Sequence, residues 1–488
     1  MITTKHRFIN VLALSVVVLL SACAAGAAEK ATPAKSDPVI ELGAPFTDNA
    51  ILQQKMKIPV WGTSTPGAKV RVKFADQTKT TVANDDGKWK VTLDPTPADK
   101  LSSLNKAPKG RSLTIVAEHG DKKATITLKN ILIGEVWLCS GQSNMAGRFG
   151  RDPYPRGSLA KADYPALRRL DDGAWIICTP KTTGRFSRVG FCFARRVQRE
   201  LMIPVGVLIA ATGGSPIESW MRTVPKDLQN PKHKRAPGKP RRVTNYESKI
   251  EPLVGYAMRG ALWYQGEGNA SDGREYFLKM QSMIGDWRKS WSQGDFSFYF
   301  VQIASIGASS KDKPMGGDGR AKIRNAQLEA MTIKNTGMVV AIDVGAVREH
   351  PLNKYDVGIR LSRWALHKDY GRAKLVPSGP IYKSCKIEGS SIRVSFDYAK
   401  NGLMLASKAS YVPAKPTPGA TMPWLSIQDK GGKWYWAEGK LDGSDLIVFN
   451  KNVKEPIAVR YAYTQYPAGC NLYNTDGLPA SPFSTCGY

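Results

Sequence analysis

The sequence predicts an α/β protein: a mostly parallel sheet covered by helices on both faces and flanked by two β-rich modules. Three observations carry that expectation. Residues 38–130 alternate apolar and polar side chains with the period of a half-buried strand. Residues 131–380 switch between wholly apolar runs and helical spacing, as strands buried on both faces and their crossover helices do. Residues 381–488 return to short alternating strands. At 488 residues the chain also exceeds one ordinary core, so two or three domains are expected.

The first 37 residues read as an export leader and tether. Lys5 and Arg7 precede the apolar run Phe8–Leu20, which matches a signal-peptide core and is too short to span a bilayer. Leu20-Ser21-Ala22-Cys23 resembles a bacterial lipobox. Residues 1–22 are therefore expected to be removed and Cys23 to carry lipid. An ordinary cleavage within Ala24–Ala28 is the rival. Ala24, in place of an aspartate, points to outer-membrane sorting. Residues 23–37, rich in Ala, Lys, Pro and Ser, read as a tether. No later stretch is long and apolar enough to cross a membrane, so contact with the membrane is expected through the anchor alone.

Within 38–130, Val70, Val72 and Phe74 alternate with Arg71 and Lys73. Asp85-Asp86-Gly87 turns ahead of Trp89, Val91 and Leu93, and Gly120-Asp121 separates two further strands. This is the pattern of a small β-sandwich. From residue 131 the order is strand Ile131–Cys139, helix Phe191–Leu201, strand Pro204–Ala210, strand Gly260–Tyr264 and helix Tyr276–Trp291. Strands Phe298–Ile303 and Met338–Ile342 follow, then the helix Val357–Leu366. Sheets of this kind bind ligands beyond the carboxyl ends of their strands. In 381–488, Ile392, Val394 and Phe396 alternate, Trp434 and Trp436 follow Gly431-Gly432, and Leu446–Phe449 and Ile457–Tyr461 close a second β module.

A formal charge of +29 predicts attraction to anionic partners. No basic helix, zinc spacing or aromatic–basic repeat accompanies it, so nucleic acid is not the expected partner. An acidic glycan or cell surface is, with solubility in the organism's habitat weighed equally. The densest basic cluster, Lys232 to Arg242, reads as an exposed insertion. Six cysteines remain beyond Cys23. Cys470 and Cys486 bracket the last loop and are the preferred disulfide pair, whereas Cys139 and Cys192 read as buried thiols. There is no C-x-x-C and only five histidines occur, so a structural zinc site is not expected; no cofactor is expected either.

Gly141-Gln142-Ser143-Asn144-Met145 directly follows the first strand of the central region, where a small-residue turn holds a serine hydroxyl at the rim of a sheet. A serine nucleophile needs a base, and elimination finds it. His6 leaves with the leader, His119 sits in a sandwich turn, His233 lies in the basic insertion and His367 ends a helix. His350, in the loop after the strand ending Ala341-Ile342-Asp343, remains. Oxyanion donors are expected from the Ser143 N–H and from two loops beyond neighbouring strands. These are Gly213-Gly214 and Gln265-Gly266-Glu267-Gly268-Asn269, the latter rich in amides.

These residues resemble the sialate O-acetylesterase group of the SGNH/GDSL hydrolase superfamily over nearly the whole mature chain. The matching blocks are Phe46–Asn49 with Leu52–Gln54, Gly141–Met145, Gly213–Trp220, Trp263–Ala270, His350–Lys354 with Val357–Leu361, and the ending Gly477–Phe483. The resemblance implies a flavodoxin-like three-layer α/β/α core and metal-free, serine-dependent removal of O-acetyl groups from carbohydrates. On that reading Ser143 attacks, His350 is the base, and the Ser143 N–H, the Gly214 N–H and the Gln265 amide hold the oxyanion. Trp220, Tyr264 and Asn269 are candidates to meet substrate, while Trp263 reads as core; for Glu267 and Asn269 the alternative is to order the loop.

One position departs from the family pattern. An aspartate usually stands two residues before the histidine; here it is Arg348. The third member of the triad is then Glu349, Asp343, or a backbone carbonyl that leaves a Ser–His dyad. The expected substrate is an acetylated carbohydrate, sialate-like or anionic. Xylan or xyloglucan is the alternative within the class, and a catalytically silent glycan-binding lipoprotein the alternative outside it.

Overall fold

In the computed structural model the described residues are 38–149, 161–229, 243–309, 311–346 and 349–488. The leader, Cys23, the tether, the basic cluster at 232–242 and Arg348 all lie outside them. Residues 38–488 form one compact unit.

The central sheet is built from seven strands: β1 (Lys122–Gly141), β2 (Tyr164–Asp171), β3 (Ala174–Cys178), β4 (Val205–Ala211), β5 (Gly260–Tyr264), β6 (Ser297–Gln302) and β7 (Thr336–Val340). Their spatial order is β3-β2-β4-β1-β5-β6-β7, all parallel except β3, which pairs antiparallel with β2. The five strands β4-β1-β5-β6-β7 have the doubly wound order 2-1-3-4-5. Helices α2 (Arg188–Leu201) and α5 (Lys354–Lys368) bury Val189, Phe193, Val197, Val357, Leu361 and Trp364 on one face. Helices α3 (Glu275–Trp291) and α4 (Gly319–Glu329) bury Tyr276, Met280, Met283, Ile284, Trp287, Ile323 and Ala326 on the other. The expected three layers result.

Strand β1 is 20 residues long and belongs to two modules. Its first half pairs antiparallel with Arg111–His119 in the N-terminal sandwich, and its second half is the centre of the parallel sheet. The 130/131 division read from the sequence falls inside this strand. Asn130 bends there with φ +57°. Buried Arg168 pins the bend, its guanidinium donating to the carbonyls of Asn49 (2.8 Å) and Asn130 (2.6 Å) and to Asn130 Oδ1 (3.1 Å). Burial pushes that guanidinium down to about 10.

The C-terminal strands form two main sheets around Ile392, Val394, Leu425, Ile427, Leu446, Val448, Val459 and Phe483. Cys139 and Cys178 are buried free thiols, and Cys192 is buried too. The preferred Cys470–Cys486 disulfide is not formed, and both are free. Cys470 packs against the core, while Cys486 Sγ sits 3.3 Å from Ser484 Oγ.

Candidate active site

The rim of the sheet is shaped by one backbone requirement. Where β1 ends, Gly141 has φ +129°, and a Cβ there would stand 2.2 Å from the Tyr264 carbonyl at the end of neighbouring β5. Only glycine lets the chain turn that close to the next strand. The following Gln142 N–H donates to the same Tyr264 carbonyl at 3.0 Å. Ser143 then opens the short helix α1 (Ser143–Ala146), where its N–H has no carbonyl acceptor within the helix. The turn lies between β1 and β5, where the connections leave the sheet in opposite directions and a ligand crevice forms.

His350 arrives from the loop after β7. Its Nε2 lies 2.8 Å from Ser143 Oγ, across 207 residues of sequence. This is the hydrogen bond a serine nucleophile and its base must make. Ser143 is half-buried and His350 exposed, so both are open to a substrate.

Both carboxylates offered by the sequence as the acid are engaged away from His350. Glu349 is not aimed at the imidazole: its carboxylate is half-exposed and turned to Arg320, with Arg320 Nη2 3.4 Å from Oε1. Adjacent residues point apart, and so they do here. Asp343 is spent elsewhere. Its side chain is buried in a bidentate pair with Arg360, both contacts 2.7 Å, and accepts from the Tyr473 hydroxyl at 3.2 Å. Among the described residues no carboxylate is hydrogen-bonded to His350, which leaves Ser143 and His350 as a pair.

The oxyanion side also departs from expectation. The Gln265 amide is fully buried, and its Nε2 donates to the Ser215 carbonyl (3.1 Å) and Asn269 Oδ1 (2.8 Å). With both hydrogens used and Oε1 accepting from Tyr276 (2.7 Å), it is not an oxyanion donor. Asn269 is likewise buried. Its Oδ1 accepts from Ile217 N–H (2.8 Å) and its Nδ2 donates to Glu218 (3.0 Å) and Asp272 (2.8 Å), so it orders the loop and does not meet substrate. Trp220 is fully buried. Its ring packs edge-on against Trp263 and its Nε1 donates to Ser215 Oγ at 2.9 Å, so it is a core residue and not a sugar platform. Trp263 and Tyr264 are buried as well. The glycine loop stays open: Gly213 and Gly214 are exposed, and a Cβ on Gly213 would lie 3.7 Å from that of Ser143. Gly214, at φ +68°, has free space where a side chain would stand.

Beneath these loops runs a polar layer that the sequence reading did not single out. Lys279, fully buried, donates to Glu218 (2.7 Å) and Asp272 (2.6 Å), tying α3 to the glycine loop. Burial works against the Glu218 carboxylate, but bonds from Lys279 and Asn269 hold it below the usual range. On the histidine side, Asn144 Nδ2 donates to Glu267 Oε1 at 2.6 Å and reaches the Glu349 carbonyl at 3.4 Å. Lys354, buried at the start of α5, donates to Asn144 Oδ1. Glu267 Oε2 is shielded from solvent without a partner, and burial pushes this carboxyl up against the pull of Asn144, Lys354 and Arg320. No group of metal-ligating side chains occurs among the described residues.

Comparison with known proteins places this geometry. Residues 133–353 match the family model described as carbohydrate esterase, sialic acid-specific acetylesterase. The chain is 27% identical to the sialate O-acetylesterase of Mus musculus, over 90% of this chain and 93% of that protein. It is 26% identical to the Homo sapiens sialate O-acetylesterase, over 87% and 88%. The crystal structure of a carbohydrate acetylesterase from Xanthomonas citri superposes with a TM-score of 0.79 at 30% identity, covering 92% of this chain and 99% of that one.

Proposed function

The chain belongs to the sialic acid-specific acetylesterase family of carbohydrate esterases and removes O-acetyl groups from carbohydrates; from that premise we propose that Ser143 is its nucleophile and His350 its base. What supports this assignment is the 2.8 Å contact between His350 Nε2 and Ser143 Oγ at the carboxyl edge of the sheet. Ser143 Oγ attacks the acetyl carbonyl as His350 takes its proton. The carbonyl oxygen becomes an oxyanion facing the N–H groups of Ser143 and the Gly213-Gly214 loop. Collapse expels the sugar oxygen, which receives the proton from His350. Water, deprotonated by the same imidazole, then cleaves the acetyl-enzyme to acetate and free serine.

The substrate in this reading is an anionic acetylated glycan, sialate being the first choice. The charge of +29 and the names of the relatives support it. Purified protein incubated with acetylated sialate, xylan and xyloglucan should release acetate fastest from the sialate, and Ser143→Ala should release none. Preference for the neutral polymers overturns the substrate. Turnover by Ser143→Ala, or glycan binding with neither acetate release nor fluorophosphonate labelling of the native chain, overturns the mechanism. The lipobox supports lipid attachment at Cys23. Metabolic labelling with palmitate should mark the native chain and not Cys23→Ala; equal labelling sinks the anchor.

A further inference from the structure

A base in a serine esterase must be held at one angle, and an imidazole that no carboxylate among the described residues reaches needs another restraint. The residue before His350 is restrained from both ends. The Glu349 carbonyl accepts from Asn144 Nδ2 at 3.4 Å, and the Glu349 carboxylate faces Arg320 at 3.4 Å. Asn144 adjoins the nucleophile, so one side chain spans the serine turn and the histidine loop. Its own orientation is fixed on two further sides. Glu267 Oε1 takes its second amide hydrogen at 2.6 Å, and the Lys354 ammonium donates to its Oδ1. That ammonium also lies 5.3 Å from the centroid of the Tyr264 ring, below the serine turn. Every polar atom of the Asn144 amide is therefore committed, and the amide cannot flip without losing an acceptor for Lys354. Asn144 and Lys354 are buried, which strengthens the bond between them and makes leaving either amide atom unpaired costly.

We propose that Asn144 is the positioning residue of this esterase: oriented by Glu267 and Lys354, it clamps the main chain of Glu349 and so holds His350 on Ser143 in place of a triad carboxylate. Arg320 steadies the other end of Glu349. Glu349 thus serves the base through its backbone, and its carboxylate is an anchor. The proposal rests on Ser143 and His350 being nucleophile and base, and the variants are chosen to separate the two claims.

The experiment compares kcat and KM for an aryl acetate, and the rate of fluorophosphonate labelling, across six variants of the full chain. Asn144→Ala should lower kcat and labelling together by up to about 100-fold, the cost of a base misplaced by about an ångström, with KM little changed. Asn144→Asp keeps the acceptor for Lys354 and the side-chain volume but turns an acceptor towards Glu267 and the Glu349 carbonyl. It should melt lower than the native chain and show the same kcat loss when assayed well below its transition, where circular dichroism shows a native fold. Glu267→Gln, which retains an Oε1 acceptor, should recover most of the kcat that Glu267→Ala loses. Glu349→Gln should lose less than about tenfold, against about 10⁴-fold where a triad aspartate is replaced by its amide. The clamp is overturned if both Asn144 variants keep kcat within about threefold of native while His350→Ala is inactive. A loss near 10⁴-fold in Glu349→Gln also overturns it, making that carboxylate the triad acid. An active His350→Ala overturns the underlying assignment of the base instead.

Discussion

Replacing Asp343 by asparagine separates a carboxylate that holds the fold from one that serves the reaction. In sequence Asp343 is a candidate acid, ending a sheet strand seven residues before the base. In the structure both its oxygens face Arg360 at 2.7 Å, and Arg360 also donates to the Val340 carbonyl at 2.7 Å. Removing one partner of such a buried pair leaves a charge without compensation and costs about 3–5 kcal/mol. Asp343→Asn should therefore lower the melting temperature markedly and leave kcat, measured well below the transition, near native. A normal melting temperature with kcat down by orders of magnitude would return Asp343 to the triad. The same contrast explains which site residues the sequence revealed. The sequence reading singled out Ser143 by its place behind the first central strand and His350 by elimination among five histidines, and the structure sets the two 2.8 Å apart. Gln265, Asn269 and Trp220 were misassigned because amides and indoles serve loop packing as readily as substrate binding. Whether the Gln265 hydrogens go to an oxyanion or to the Ser215 carbonyl is decided by the path of a loop 50 residues away. Asn144 stood in plain sight within the serine motif, but its acceptor is a main-chain carbonyl, which carries no sequence signal.

At the scale of elements, legibility follows who satisfies the backbone. Strands β1, β4, β5, β6 and β7 were legible because strands buried on both faces read as apolar runs. Helices α2, α3 and α5 were found within a few residues of their ends because each carries an apolar stripe of helical spacing. Helix α4 and the hairpin β2–β3 escaped, and both place polar side chains inside the protein. In α4, Arg324 and Gln327 are fully buried. Arg324 donates to the carbonyls of Ile303 (2.9 Å) and Ala304 (3.0 Å), while Gln327 accepts from Ile303 N–H (2.9 Å) and donates to the carbonyls of Gln265 (3.1 Å) and Val301 (3.2 Å). In β2, Arg168 and Arg169 occupy core positions, Arg168 capping the bend of β1 and Arg169 bonding the Arg185 carbonyl and Asp171. Hydropathy periodicity assigns such residues to the surface. Arg324 and Gln327 are buried because main-chain acceptors at the carboxyl ends of β5 and β6 need donors, and those ends carry the site, whereas Arg168 and Arg169 supply donors to the β1 bend and to the Arg185 carbonyl.

At the scale of the molecule, the modules named from composition are not separable bodies. The N-terminal sandwich and the catalytic sheet share the continuous strand β1, so neither has a boundary at which backbone hydrogen bonding stops. The C-terminal module completes bonds that the catalytic layer cannot make alone. Arg324 Nη1 donates to the Thr464 carbonyl at 2.7 Å and Nη2 to Gln465 at 2.9 Å, while burial pushes this guanidinium down to about 10. Gln302, at the end of β6, donates to Ser481 Oγ at 2.9 Å, and Asn474 Nδ2 reaches the carbonyls of Ser378 (3.0 Å) and Tyr398 (2.9 Å). Deleting residues 381–488 would leave the buried Arg324 short of two acceptors and the buried Gln302 amide short of one. Each unmade bond to a buried group costs about 1–3 kcal/mol, and more for a charge, against a total stability of about 5–15 kcal/mol. The chain from residue 38 should therefore unfold in one calorimetric transition, and the 38–380 fragment should be degraded by protease under conditions that leave the whole chain intact. Two resolved transitions, or a 38–380 fragment that melts cooperatively and hydrolyses an aryl acetate, would show that the catalytic layer stands alone and that the C-terminal module has a task other than completing it.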